Sequence, residues 1–238
     1  MRATVRKATP NPADKADIWY PKKEKNMDTG RKVIASSYLE KSMKYEAYTQ
    51  LISDLLAAGR TTGPDQSEAM IHYTGLNQQR MHRVEKSIVL LPQAETLIRS
   101  ISLPQTWLVL TEAWCGDAAH SVPIMHALAA LNPLIDLRLL LRDENPELMD
   151  QYLTNGVSRS IPKLIGLDTA TMEELFTWGP RPAPLQEIFT RLKLDGTEFH
   201  AIKEELQRWY NKDKTTAVQQ ELAMVAAGAG RVDMGLTA

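Results

Sequence analysis

The sequence predicts an α/β protein: a central mixed sheet with helices on both faces, preceded by a helical extension and followed by a further helix. Three observations carry that expectation. From residue 106 onward, apolar runs and helical stripes alternate in the order β-α-β-α-β-β-α. Two of the runs, "TWLVLTE" (106–112) and "LIDLRLLL" (134–141), are almost continuously apolar, as strands covered on both faces are. Apolar residues make up 43% of the 238, enough for a sizeable core.

The elements follow in order. Residues 1–35 read as a disordered polar arm: "MRATVRKATP" is basic, and "NPADKADIWYPKKEK" then brings acids, prolines and lysines. It has no continuous apolar stretch, so no secretory signal is expected. Residues 36–104 read as the helical extension. Ser37 and Glu40 have capping-box spacing, and Tyr45, Tyr48, Leu51, Ile52, Leu55 and Leu56 form one stripe. "AAGRTTGP" ends that helix. Asp65 and Glu68 offer a second cap, before Met70, Tyr73, Leu76, Met81, Val84 and Ile88. A shorter helix covers 93–102.

The core is expected over 105–195. After the strand at 106–112, Val122, Ile124, Met125, Leu128 and Leu131 mark a helix over 115–131. The strand at 134–141 is followed by Asn145-Pro146, which opens a helix running to about Asn155. "IPKLIGL" (161–167) and "MEELFTW" (172–178) flank the turn "DTAT" as a hairpin. "WGPRPAP" (178–184) reads as a rigid turn into the last core helix, 183–194. A single terminal helix is expected over 196–228, with Phe199, Ile202, Leu206 and Trp209 inward, and a frayed tail over 229–238.

Composition narrows the chemistry. With 28 basic and 29 acidic residues the net charge is −1, which gives no strong attraction to nucleic acid or to a membrane surface. No 18-residue apolar run is present to span a bilayer. A single cysteine, Cys115, excludes an internal disulfide and a thiolate-rich zinc site. His72, His126 and His200 are scattered without metal-ligand spacing, and Cys115 with His120 alone is too few ligands, so no metal is expected. "NQQRMHR" (77–83), with Lys86, places Arg80, His82 and Arg83 near one another. A carboxylate or phosphate would suit them, but a solvated basic face is the expected reading.

Cys115 lies in "TEAWCGDAAH" (111–120), at the junction of the first strand and its helix. Pro123 lies eight residues beyond it, and Ile161-Pro162 precedes a later strand. This arrangement resembles the thioredoxin superfamily over about 106–194. The preceding helices together with the Trp114–Ala118 "WCGDA" motif resemble a bacterial thioredoxin-like subgroup with one cysteine. The resemblance implies a thioredoxin fold, a helix kinked at Pro123, and a cis-proline, Pro162, facing Cys115. It implies Cys115 as the reactive sulfur. Trp114, Gly116 and Asp117 would form substrate surface, and Ser160 and Ile161 beside Pro162 would offer a strand-like edge. Arg159, near Pro162 in the chain, would suit an anionic substrate end, but a plain surface arginine is the expected reading.

Three departures stand out. Ala118 replaces the resolving cysteine, Asp117 stands where thioredoxins have proline, and the buried acid of the first strand falls at Val109. Glu112 is three residues before Cys115, an odd offset that points it from another face of the strand.

A thiolate, not a thiol, attacks disulfides, and a free thiol titrates near about 8.5. A helix N-terminus favours the anion by roughly 0.3–1 kcal/mol. Asp117 opposes it by about 1.2 kcal/mol at roughly 7 Å and an effective dielectric near 40. These nearly cancel, so two readings stay open. One is a monothiol thiol–disulfide oxidoreductase or thiol-dependent reductase; the other is a redox-inactive thioredoxin-fold binding module. For the first, no tightly bound cofactor is expected, and glutathione or another low-molecular-weight thiol is the candidate reductant. Its partners would be a disulfide-containing or thiol protein, or a small thiol, in the cytoplasm.

Overall fold

The computed structural model describes residues 31–229. Four helices come first: α1 (Ser37–Lys41), α2 (Tyr45–Ala57), α3 (Glu68–Ser87) and α4 (Pro92–Arg99). The alternating part holds β1 (Gln105–Thr111), α5 (Gly116–Ala129), β2 (Ile135–Leu141), α6 (Pro146–Met149), β3 (Lys163–Asp168) and β4 (Glu174–Trp178). Helices α7 (Ala183–Leu194), α8 (Phe199–Asp213) and α9 (Thr216–Ala229) close the described chain.

The sheet is mixed, in the order β2-β1-β3-β4. β1 runs parallel to β2, and α5 provides the crossover that a parallel pair needs. β1–β3 and β3–β4 are antiparallel. Every residue of β1 is buried, which is why its middle, Trp107–Leu110, is continuously apolar rather than alternating. α5 is covered almost all round: each residue from Asp117 to Met125 is buried, with Pro123 inside the helix. α3 packs along α5, while α9 lies against α4, β4 and α5. No helix among the described residues is long and apolar enough to cross a membrane.

Several local expectations are revised. Order within the presumed arm begins by residue 33: Val33 bridges to Glu173, and Ile34 is only 2% exposed. Residues 1–30 and 230–238, including most of the expected arm and tail, lie outside the described residues. Ser36, not Ser37, stands at the N-cap of α1, and no side-chain cap bond forms there. Ser67, not Asp65, caps α3 by accepting the Met70 N–H. Asp65 instead accepts the N–H of Ser67, shaping the turn that leads in. The helix expected to reach Asn155 stops at Met149 and continues only as a 3-10 turn, Asp150–Tyr152.

The largest revision concerns the carboxyl end. The single terminal helix is two, broken where Lys214 and Thr215 both adopt positive φ (50° and 72°). α9, not α7, is the final helix against the sheet. α7 pairs with α8 instead, and the two share a small separate core of Leu185, Ile202, Leu206 and Tyr210. Phe199 is 63% exposed rather than inward, because the buried stripe runs 202–206–210. α7 has no side-chain cap of its own. Glu221 of α9 supplies one from outside, accepting from Ala183 N–H (2.7 Å) and from Trp178 Nε1 (2.8 Å).

Candidate functional site

The turn between β1 and α5 is pinned from the helical extension. Asn77 Nδ2 on α3 donates to the Ala113 carbonyl (3.0 Å), and Thr62 Oγ1 accepts the Ala113 N–H (2.9 Å). These bonds satisfy a strand end that would otherwise carry buried, unpaired polar groups. Cys115 is the N-cap residue of α5, with extended backbone (φ −82°, ψ 117°).

Although it opens a helix, Cys115 is only 8% exposed. Its Sγ donates to the Ile161 carbonyl at 3.3 Å. Ile161-Pro162 is cis and lies across from the sulfur, in the segment the sequence singled out. Burial, and then Asp117, push the thiol up to about 12; the N–H groups of Ala118 and Asp117 and the Arg181 guanidinium pull the other way. The resting group is therefore a thiol.

Asp117 is buried too. Its Oδ2 pairs with Arg181 Nη2 at 2.6 Å, and its Oδ1 accepts from Tyr210 Oη at 3.0 Å. Burial raises the Asp117 carboxyl, and Arg181 and then Tyr210 draw it back. The Arg181 guanidinium also lies 4.0 Å over the Phe189 ring. Tyr210 stacks on His120 at 4.1 Å and 12°. His120 is thus buried, and burial holds it down to about 4, so it is neutral near pH 7. Its Nε2 meets Gln207 Oε1 at 3.2 Å. Through Tyr210 and Gln207, α8 is fastened over the start of α5.

Of the residues predicted for the site, Trp114, Cys115, Gly116, Asp117, Ser160 and Ile161 line one cavity of about 810 Å³. Pro162 is buried beside it without lining it; its carbonyl faces Gly179. Gly116 lies against Arg80. A Cβ there would sit 3.6 Å from Arg80 Nη1, so Arg80 already covers it. Arg159 reaches the cavity but is held by Asp150 through two bonds, of 2.6 and 2.7 Å. Arg80 turns into the cavity, while His82, Arg83 and Lys86 stay on the exposed face.

Glu112 is fully buried and faces away from the sulfur: Oε1 accepts the Asp143 N–H (2.8 Å), and burial lifts its carboxyl to about 6. Arg181, Tyr210, Lys203 and Tyr73 were not anticipated as site residues. Arg181 lay within a turn whose prolines spoke only of rigidity, and Tyr210 lay next to a stripe assigned to Trp209. Among the described residues, no group of three or more metal-ligating side chains occurs.

A family model described as Thioredoxin matches residues 63–193. No curated protein matches the chain. Among solved structures, the chain is similar to a protein of unknown function from Pseudomonas aeruginosa, at 18% identity and a TM-score of 0.50, covering 74% of this chain and 97% of that one. It is also similar to an HIV 4E10 epitope scaffold at 17% identity and a TM-score of 0.49, covering 74% and 97%. The Pseudomonas structure speaks to the fold.

Proposed function

The chain belongs to the thioredoxin family whose model it matches over residues 63–193, and from that membership we propose that it performs thiol–disulfide exchange through one sulfur, Cys115. It would be a single-cysteine branch of the family, marked by Trp114–Ala118. The observation that supports this most is the surroundings of the sulfur. Cys115 lines the cavity, the N–H groups of Asp117 and Ala118 and the Arg181 guanidinium act on it, and the Ile161 carbonyl lies alongside. The N–H groups and the guanidinium favour a thiolate at that point, while the carbonyl accepts from the thiol.

The thiol is guarded at rest, because burial and the Asp117 charge keep it protonated. Exchange begins when Asp117 is neutralised or α8 lifts away. The Cys115 thiolate then attacks one sulfur of a disulfide R–S–S–R′. That S–S bond breaks, R′S⁻ leaves with the electron pair and takes up the proton Cys115 released, and Cys115 holds RS as a mixed disulfide. Ala118 has no sulfur to resolve it. A second thiolate, from glutathione or another small thiol, attacks the RS sulfur and expels Cys115 as thiolate. Disulfide-bearing proteins and small disulfides are the substrate classes, and a reducing cytoplasm suits a protein that depends on an external thiol.

Incubation with glutathione disulfide between pH 7 and 9, followed by intact mass, tests the reading. A single glutathione adduct, absent in Cys115→Ser and removed by added glutathione, is expected. An unmodified chain throughout sinks it. The burial of Cys115 favours a second reading, a redox-inactive binding module, and that module keeps its ligands after Cys115→Ser.

A further inference from the structure

We propose that the cavity over Cys115 is a binding site for a small organic anion, a carboxylate or phosphate group joined to an apolar body, with Arg80 and Lys203 as its charged anchors. The volume, about 810 Å³, is that of a small-molecule site. Its walls are unevenly charged: Arg80, Arg142, Arg159, Arg181, Lys203 and Arg208 face Asp117 and Glu204.

Most of these cations are already matched. Arg181 pairs with Asp117, Arg142 with Asp143, Arg159 with Asp150, and Arg208 with Glu205. Arg80 and Lys203 differ. Among the described residues, no carboxylate lies within ion-pair distance of either. Arg80 Nη1 donates to the neutral Asn77 Oδ1 at 2.8 Å. Lys203 Nζ donates to Tyr73 Oη and lies 4.4 Å from the centre of that ring. Arg80 is half-buried and repelled by Arg83, and both lower its hold on its proton, while Tyr73 also acts on it. Lys203 of α8 thus meets Tyr73 of α3, the helix that carries Arg80, and all three line the cavity.

A guanidinium partly removed from water and hydrogen-bonded only to an amide is incomplete without an anion. Asp117 is close enough to act on Arg80, but its two oxygens are taken by Arg181 and Tyr210. The rings of Tyr73, Phe189 and Phe199 supply the apolar surface beside the charges. A planar oxyanion meets the fork of Arg80 and the point charge of Lys203, and its apolar part lies along those rings.

This site depends on the cavity and not on the reactivity of Cys115, so the two proposals fail separately. Isothermal titration of the full chain with phenylacetate, phenyl phosphate and the neutral phenylacetamide tests it. At least one anion should bind saturably with a Kd of about 1 mM or tighter. The amide should bind at least about tenfold more weakly. Arg80→Gln and Lys203→Met should each weaken the anion about tenfold or more, with circular dichroism checking that each variant is folded. Equal binding of amide and anions, undiminished anion binding in both folded variants, or no saturable binding of either anion overturns the site. Adduct formation with glutathione disulfide reads the thiol proposal alone.

Discussion

Asp117→Asn should make Cys115 react faster while making the protein less stable. The carboxylate is one of the two groups that chiefly hold the thiol up near 12, the other being burial. A charge roughly 7 Å away, at an effective dielectric near 20, contributes about 2.4 kcal/mol, or about 1.7 pKa units. Its removal should bring the thiol to between about 10 and 11. At pH 8 the thiolate population then rises about 50-fold, while the lower basicity cuts its nucleophilicity about sixfold. The net gain is about eightfold, measured as the pseudo-first-order rate of iodoacetamide alkylation.

Arg181→Gln supplies the opposite sign. It removes the cation that favours the thiolate and should slow alkylation. Both substitutions break the same pair, whose side chains are 10% and 12% exposed, and each should cost about 3–5 kcal/mol in urea unfolding. Stability therefore falls in both variants while reactivity diverges. An Asp117→Asn protein no faster than the parent, or an Arg181→Gln protein that is faster, refutes the electrostatic account of the guarded thiol.

Three further outcomes are expected. His120 titrates near 6.5 when unfolded and about 4 when folded, so the native state binds fewer protons between those values and stability falls as pH drops through that window. The loss amounts to about 3 kcal/mol. His120→Phe, which keeps a ring against Tyr210, should flatten that limb in urea titrations at pH 4 and 7; an unchanged limb refutes the assignment. Ala118→Cys puts a second sulfur one turn from Cys115, and mild oxidation should take the free-thiol count from two to zero, reversibly with dithiothreitol; two thiols persisting after oxidation count against it. Gly179 has φ +111°, and a Cβ there would lie 2.2 Å from the Pro162 carbonyl oxygen. Gly179→Ala should therefore lose about 3 kcal/mol or more in denaturant melts, and an unchanged midpoint contradicts the contact.

The sheet was legible chiefly through its central strands, β1 and β3, where burial on both faces leaves long apolar runs. β1 is continuously apolar from Trp107 to Leu110, and its ends differ from expectation by one residue. The cysteine, with both prolines, was legible because a strand–turn–helix junction constrains residue types locally. What covers that junction was not. A helical stripe such as Ile202–Leu206–Tyr210 states that one face is buried, without saying against what. The break between α8 and α9 uses Lys214 and Thr215 at positive φ, where a glycine would have announced it. The pairing of Asp117 with Arg181 joins residues far apart in the chain through a fold that no local pattern encodes. The buried state of Cys115 follows from both omissions.

The α7–α8 pair keeps its own cluster of apolar side chains, distinct from the one around the sheet. Such a unit occupies a lower rung of the stability ladder than β1 or α5, and it can detach as a sub-global opening with the sheet ladder intact. Access to Cys115 is then a matter of how often the hairpin is away. A reagent's rate would report that population, and mild denaturant would raise it well short of the global midpoint. The sheet's endurance rests on the larger cluster, whereas the sulfur's availability also rests on Ile202, Leu206 and Tyr210, which lie outside it.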